Sequence, residues 1–240
     1  MKLTFLGTRG EIEPRTAEHR MHTSVLITFR RKRIMIDCGA DWASEVDRVR
    51  PDAIVLTHAH PDHISGLTNG IGCPVFATPR TWDIVGRWPI PNRATVNPRD
   101  PFGVHAIKFE AFELEHSLRA PAVGYRIGSG AATIFYSPDV AKICERHEAL
   151  SGIRVYIGDG AAITRPILRK RDGVLIGHAS IAMQLEWCKA EHVPAAIFTH
   201  CGTEIVSGEP MTVQARLDVL SSRTRIRTRI AVDGFELNVA

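Results

Sequence analysis

Cysteine is scarce in this sequence, with five residues among 240, an odd number that shows no CxxC spacing. This pattern argues against a disulfide framework and against a structural zinc site built from cysteines. The sequence also lacks an apolar run of the ~20 residues that a membrane-spanning helix needs. The apolar stretch in its first residues is too short for a signal peptide. We therefore expect a cytoplasmic protein without a membrane partner.

The sequence has only a small excess of positive over negative charge. The formal net charge is +4, from 30 Lys and Arg against 26 Asp and Glu, and apolar residues make up 44% of the chain. These proportions are ordinary for a globular protein. A chain of this length buries enough surface for one core, so we predict a single domain over residues 1–240. The small positive charge permits an anionic substrate without requiring one.

Short apolar runs typical of strands alternate with helical segments along most of the chain, which favours a layered α/β architecture. The predicted strands are Leu3–Leu6, Ser24–Phe29, Arg33–Asp37, Ala53–Leu56, Pro74–Ala77, Val104–Leu114, Ala122–Ile127, Thr133–Tyr136, Ile153–Ile157, Ala195–Phe198, Ile226–Val232 and Phe235–Val239. The predicted helices are Asp41–Val49 (capped by Asp41), Pro79–Val85, Asp139–Leu150, Ile181–Ala190 and Met211–Leu220. Two long stretches, Thr8–His22 and Trp88–Pro101, are predicted to be irregular loops.

The predicted strand Ala53–Leu56 leads into a dense group of metal-binding side chains, in the pattern HxHxDH from His58 to His63. His58 and His60 are two positions apart and can point the same way. Asp62 and His63 follow directly and can serve a second ion. Imidazole and carboxylate are the ligands that zinc prefers at catalytic sites. The sequence therefore predicts a metal centre at the end of this strand.

On these residues the sequence resembles the metallo-β-lactamase superfamily, and the resemblance extends over nearly the whole chain. The matching segments follow the family's order of motifs and are Ile34–Gly39, the HxHxDH run, Leu114–Ser117, Tyr136–Asp139 and Ile197–His200. The resemblance implies an αββα sandwich of the α/β class, in which helices flank two mixed β-sheets. It also implies two divalent metal ions, with zinc favoured and manganese or iron as alternatives.

The resemblance further implies a role for each motif residue. One ion would be bound by His58, His60 and His116, the other by Asp62, His63 and His200, and Asp139 would bridge them. Asp37 would orient the metal loop without binding an ion. Two such ions can hold a hydroxide between them at neutral pH, and this hydroxide would be the nucleophile. Asp62 would help to orient it, and the positive cluster would stabilise the charge of a reacting phosphodiester.

Residues outside the ligand set must indicate the reaction, because the fold alone does not fix it. His178, in the segment Gly177–Ser180, resembles a histidine of the tRNA-processing ribonucleases (RNase Z) and of the cyclic phosphodiesterase of phosphonate degradation. In those relatives the histidine protonates the leaving oxygen, which implies that His178 is a general acid. Arg119 lies three residues after the ligand His116 and is our candidate for binding the substrate phosphate.

Two departures from these relatives bear on the substrate. The chain has no room for the long arm with which RNase Z grips tRNA, and Gly7–His22 lacks the cysteines of the phosphonate-pathway enzyme. We therefore expect a small or cyclic phosphodiester as substrate, with nucleic acid less favoured.

Other readings of the same motif stay open at this point. The main alternative is a hydrolase of the same fold that cleaves a thioester, lactone or amide, which acidic or apolar pocket walls would favour. The basic residues between positions 165 and 171, together with His178, favour the phosphodiester. A flavodiiron redox protein is disfavoured because the sequence shows no flavin domain. The oligomeric state is left open.

Overall fold

The computed structural model describes residues 1–130 and 132–239. In this part of the chain, the N-terminal strands form most of the first of two large β-sheets. Its strands are β1 (Lys2–Gly7), β2 (Ser24–Phe29), β3 (Lys32–Ile36), β4 (Ala53–Val55), β5 (Val75–Ala77), β6 (Arg93–Thr95) and β17 (Glu236–Asn238). They lie in the order β17-β1-β2-β3-β4-β5-β6. The pairings from β17 to β3 are antiparallel, and those from β3 to β6 are parallel.

The second sheet holds most of the later strands. They are β7 (Phe102–Val104), β8 (Ile107–Glu115), β9 (Ala122–Gly128), β10 (Thr133–Tyr136), β11 (Lys142–Ile143), β12 (Val155–Asp159), β15 (Ala195–Thr199) and β16 (Arg227–Ile230). Their order is β11-β8-β9-β10-β12-β15-β16, and β7 pairs with β8. The neighbours in the run β10-β12-β15-β16 pair in parallel. A separate antiparallel hairpin consists of β13 (Ile167–Arg171) and β14 (Val174–His178).

Seven α-helices accompany the sheets in the described parts of the chain. They are α1 (Val46–Val49), α2 (Pro61–Ile64), α3 (Pro79–Val85), α4 (Arg146–Leu150), α5 (Ile181–Ala190), α6 (Thr203–Val206) and α7 (Pro210–Thr224). Two short 3-10 turns lie at Ala40–Trp42 and Ser65–Leu67. Within the described residues, none of the helices has both the length and the apolar character needed to cross a bilayer.

Each sheet buries side chains on both faces, one against the other sheet and one against helices. This burial gives a four-layer arrangement of helices, sheet, sheet and helices. In β2, Val25 and Ile27 face the core between the two sheets, while Leu26 packs on the opposite side with Trp42 and Val46 of the helical layer. A third core lies between the second sheet and its helices, and includes Phe198. This burial on both faces follows from the side-chain alternation of a strand. The predicted αββα sandwich of two mixed sheets is confirmed.

Two of the predicted helices are wrong in part, for reasons that concern the site. Between Asp41 and Val49 only a 3-10 turn and α1 form, and the Asp41 carboxylate accepts hydrogen bonds from the Arg9 guanidinium and the His22 backbone instead of capping a helix. Of the predicted helix Asp139–Leu150, only α4 is helical. Residues Lys142–Ile143 form β11, which pairs with the end of β8. That pairing brings Asp139 next to His116.

Three smaller corrections concern strands. The predicted strand Val104–Leu114 is broken at His105, whose φ of +52° turns the chain back between β7 and β8. The predicted loop Trp88–Pro101 contains the short edge strand β6. The hairpin β13–β14 was not predicted, because its exposed and strongly basic first strand lacks the apolar alternation that marks a strand against a core.

The other predicted loop, Thr8–His22, is irregular as expected, and a buried arginine holds it. The Arg9 side chain is 2% exposed and lies 2.5 Å from the Asp41 carboxylate. It also donates hydrogen bonds to the carbonyl oxygens of Gly10, Ile12 and Arg20. Arg15 contacts the same carboxylate at 2.9 Å, but its side chain is 50% exposed. Arg9 therefore fixes a loop that borders the site, whereas Arg15 only caps its outer surface.

We expect Arg9→Met to lower the free energy of unfolding by about 3–5 kcal/mol, because it removes one partner of a buried ion pair. The matched control, Arg15→Met, removes the exposed partner of the same carboxylate and should cost less than about 1 kcal/mol. Urea unfolding of the two variants beside the parent protein measures both values. Equal losses would show that the Arg9 contacts stabilise the protein no more than a surface pair does.

Candidate metal centre

The candidate site lies where five strands from both sheets end. The segment from His58 to His63 follows β4, and His116 follows β8. Asp139, Asp159 and His200 follow or end β10, β12 and β15. The β4 strand belongs to the first sheet and the other four to the second, so the site forms only when the two sheets pack together.

The first cluster consists of three histidines and a carboxylate. The Nδ1 atom of His60 lies 3.0 Å from His58 Nε2 and 3.2 Å from His116 Nε2. Asp139 Oδ2 lies 3.2 Å from His58 Nε2 and 3.5 Å from His116 Nε2. The four ligand atoms all lie within 4.8 Å of one another, a spacing that one ion can satisfy.

The second cluster shares Asp139 with the first and adds Asp62, His63 and His200. His63 Nε2 lies 3.0 Å from Asp139 Oδ2 and 3.3 Å from Asp62 Oδ2. His200 Nε2 lies 3.1 Å from Asp62 Oδ2, and His200 Nδ1 lies 2.9 Å from Asp139 Oδ1. The structure thus brings all seven predicted ligands together, with Asp139 in the position of a bridging group.

Hydrogen bonds behind the site orient several of these histidines. His58 Nδ1 contacts Thr57 Oγ1 at 3.0 Å, His63 Nδ1 contacts Asp37 at 2.9 Å, and His116 Nδ1 contacts the Gly177 carbonyl at 3.1 Å. In each ring the outer partner accepts the Nδ1 proton, which leaves the Nε2 lone pair facing the cluster. Asp37 therefore has the supporting position that the sequence predicted for it.

The residues present fit divalent ions. Three buried atoms of the second cluster, His63 Nε2, Asp139 Oδ1 and His200 Nδ1, form no hydrogen bond of good geometry in the part of the chain that the structure describes, although His200 Nδ1 lies only 2.9 Å from Asp139 Oδ1. Leaving such atoms unpaired in a protein interior is costly. A cation between them would satisfy all three, and a set of imidazoles and carboxylates suits zinc, manganese or iron.

Next to the clusters lies His178, which is held by a residue that the sequence analysis missed. His178 Nδ1 lies 2.8 Å from Asp159 Oδ2. Asp159 is fully buried and also accepts hydrogen bonds from the backbone amides of Val140 and Ala161. Its signal in the sequence is similar to that of Asp139, a carboxylate close to the end of a short apolar strand.

A family comparison agrees with this geometry. A model of the beta-lactamase superfamily domain matches residues 32–201, a segment that contains all seven predicted ligands. The protein belongs to this superfamily. The family resemblance stated from the sequence is therefore confirmed.

Two curated proteins match parts of the chain. Ribonuclease Z of Methanopyrus kandleri is 28% identical over 186 residues, which are 68% of this chain and 63% of that protein. Octanoyltransferase of Porphyromonas gingivalis is 30% identical over 168 residues, which are 60% of this chain and 33% of that protein. The chain therefore spans less than two thirds of the length of either relative.

Solved structures with the superfamily's fold cover nearly all of the chain. The metallo-beta-lactamase fold protein YhfI of Bacillus subtilis has a TM-score of 0.76 at 16% identity and covers 98% of both chains. A diphosphatase of the PhnP family has a TM-score of 0.72 at 19% identity, covering 99% of this chain and 97% of its own. Human tRNase Z, short form, has a TM-score of 0.65 at 15% identity over the full length of both. At these identities the likeness shows the fold.

The electrostatics of the two clusters differ. Burial lowers the pKa of His58 well below its usual range and that of His60 to about 4, so both rings are neutral at pH 7 and free to bind an ion. Burial also disfavours a charged His200, but Asp139 and Asp62 outweigh it and raise the pKa of His200 to about 10. An ion entering the second cluster must therefore displace a proton.

The space in front of the site divides into two cavities. The larger has a volume of about 730 Å³. The residues that line it include the apolar Ile12, Ala162 and Ile167 and the charged Glu11, Glu204 and Arg165. The smaller, of about 370 Å³, is lined by His60, His116 and His178 on one side and contains Arg119. Arg119 is exposed and lies beside the metal ligands rather than among them.

We expect Asp37→Asn to weaken metal binding by about 10- to 100-fold, the usual effect of losing a carboxylate behind a histidine ligand. The amide nitrogen of asparagine would donate to His63 Nδ1 and so favour the tautomer that carries its proton on Nε2. Asparagine tolerates the φ of +61° at this position, so the backbone stays unstrained.

Competition with a chromogenic chelator measures the affinity. Asp52→Asn, at a carboxylate that binds Lys32 and the Arg33 amide away from the site, is the matched control and should leave it unchanged. An Asp37→Asn protein with the parent affinity would show that Asp37 supports the fold but not the ligand.

Proposed function

We propose that the protein is a dinuclear metal-dependent hydrolase that cleaves phosphodiesters. The observation that carries this proposal is the joint geometry of the site: two ligand clusters share Asp139, and a histidine held by its own carboxylate stands beside them. Ribonuclease Z and a diphosphatase are among the proteins that resemble this chain.

In this proposal His58, His60 and His116 hold one ion, Asp62, His63 and His200 hold the other, and Asp139 bridges them. Zinc is the favoured ion, since the ligand set is histidine and carboxylate. When bound, the ions would supply an activated water and a positive charge that offsets the charge of the reacting phosphate. Asp62, whose Oδ2 atom lies 3.3 Å from His63 Nε2 and 3.1 Å from His200 Nε2, would help to orient that water.

His178 is the proposed general acid. Its Nδ1 atom is fixed on Asp159, and in the described part of the chain its Nε2 atom has no protein partner. The ring lines both cavities in front of the site, so Nε2 is available to a substrate in either. Burial disfavours a charged ring, but Asp159 outweighs it and raises the pKa of His178. The raised pKa favours the protonated ring, whose Nε2 proton can be given to a leaving alkoxide.

The proposed substrate is a small or cyclic phosphodiester, whose charged phosphate Arg119 would help to bind. Nucleic acid remains a less favoured substrate.

One observation favours a second candidate. The walls of the larger cavity include Ile12, Ala162 and Ile167 together with Glu11 and Glu204. Apolar and acidic walls suit an uncharged thioester, lactone or amide better than a phosphodiester. A hydrolase of such a substrate is therefore the alternative function of the same centre.

A substrate screen separates the two candidates. We expect the metal-loaded protein to hydrolyse bis-p-nitrophenyl phosphate and to leave a p-nitrophenyl thioester and an N-acyl lactone largely intact. Removal of the ions with a chelator should abolish the activity, and adding zinc or manganese should restore it. Turnover of the thioester or the lactone without the diester would favour the alternative.

The role of His178 predicts a dependence on the leaving group. His178→Ala should cost roughly 100- to 10,000-fold with a diester that has an alkyl leaving group, the range for loss of a positioned general acid. It should cost less than about tenfold with a p-nitrophenyl diester, because nitrophenolate leaves without a proton. Metal content, measured by elemental analysis, should stay at two ions per chain.

His147→Ala is the matched control, since His147 is an exposed histidine paired with Glu191 away from the site. It should leave both rates unchanged. Equal losses of His178→Ala on the two substrates would mean that His178 positions the substrate and does not transfer the proton.

A further inference from the structure

The hairpin β13–β14 carries a row of residues along the smaller cavity. Side chains of a strand alternate between its faces, so Ile167, Arg169 and Arg171 share one face and Lys170 lies on the other. Ile167 pairs directly with His178, and Arg169 pairs with Ile176. Residues that pair directly lie on the same face. The face that ends at the proposed general acid therefore also presents Arg169 and Arg171.

The smaller cavity has one sign of charge. Arg119, Arg169 and Arg171 line it, and its lining includes no carboxylate. In the described part of the chain, Arg119 and Arg169 form no ion pair. Arg171 reaches only its neighbour Asp172, at 3.7 Å and with both side chains at least 70% exposed. Three guanidinium groups around one cavity repel one another and attract an anion.

The hairpin is attached to the metal centre at its second strand. Gly177 N donates to the His116 carbonyl at 2.9 Å, and the Gly177 carbonyl accepts from His116 Nδ1 at 3.1 Å. Leu175 N donates to the Glu115 carboxylate at 2.7 Å. Gly177 has a φ of +107°, and a Cβ atom there would lie 2.0 Å from the Ile167 carbonyl oxygen. These contacts fix the backbone of the hairpin, which carries the two arginines, beside the candidate metal ligands.

We propose that Arg169 and Arg171 form a second anion subsite, which binds a further phosphate of the substrate while the metal centre and Arg119 hold the scissile diester. This inference rests on the proposed function and specifies its substrate class. Arg169 lies opposite Ile176, two residues from His178, a separation of roughly 7 Å along the strand. One sugar ring can bridge such a gap. The substrate class is thus a nucleotide-like diester that carries a second phosphate.

Binding of product-like nucleotides tests the subsite without turnover. We expect metal-loaded protein to bind thymidine 3′,5′-bisphosphate about 10- to 100-fold more tightly than thymidine 3′-phosphate, the range for added charged hydrogen bonds. Arg169→Gln and Arg171→Gln should each reduce this ratio to less than about threefold. Lys170→Gln, on the other face of the same strand, removes the same charge and should keep the ratio. Calorimetric titration measures all of them.

A kinetic comparison uses thymidine 3′-(p-nitrophenyl phosphate) with and without a 5′-phosphate. The 5′-phosphate should raise kcat/KM about tenfold or more in the parent protein and in Lys170→Gln, but not in Arg169→Gln. A third substrate replaces the 5′-phosphate by a 5′-linked thymidylate, so that the second phosphate is an internucleotide linkage. A gain with this substrate assigns the subsite to a nucleic-acid backbone, and a gain only with the 5′-phosphate assigns it to a small nucleotide.

The outcomes separate this inference from the proposed function. Diester hydrolysis that shows no gain from any second phosphate would overturn the subsite and leave the phosphodiesterase standing. If Lys170→Gln reduced the affinity ratio as much as Arg169→Gln does, the subsite would also be overturned. The effect would then come from the overall positive charge of the hairpin and not from one of its faces. Arginine-dependent binding of the bisphosphate, without hydrolysis of any diester, would support the subsite and refute the phosphodiesterase.

Discussion

The site depends on one buried carboxylate. Asp139 is 2% exposed, and its two oxygens lie within 3.5 Å of nitrogens from His58, His63, His116, His178 and His200. Burial alone would neutralise such a group, but the surrounding histidines hold its pKa well below the usual range. A charge in this position has to be matched by cations. The strands of both sheets that supply the histidines are therefore arranged around the loop that carries Asp139.

The features of the site that follow local sequence patterns could be predicted, and those that depend on long-range pairing could not. The HxHxDH run and the carboxylate or histidine near the end of each apolar strand are local patterns, so the residues that cluster at the site and the sandwich could be predicted. The stretch after Asp139 has a helical composition, and only the long-range pairing of β11 with β8 overrides it. Asp159 was missed because its partner, His178, lies 19 residues away and on another element.

The hairpin shows a further limit of sequence reasoning. The basic run before His178 reads as one surface stretch, because nothing in the sequence says that it forms a strand. Once β13 pairs with β14, alternation divides the run into a face along the smaller cavity and an opposite face that does not line it. Lys170 then lies on the opposite face of β13 from Arg169 and Arg171, although all three side chains are positively charged.

The pair of hydrogen bonds between His116 and Gly177 has a thermodynamic consequence. One partner is a proposed metal ligand and the other belongs to the hairpin, so the order of the hairpin and the occupancy of the metal centre are linked equilibria. Linkage is reciprocal. If metal binding favours the ordered hairpin by a certain factor, a ligand that binds only the ordered hairpin raises the metal affinity by up to the same factor. A bound substrate would then raise the occupancy of the metal centre.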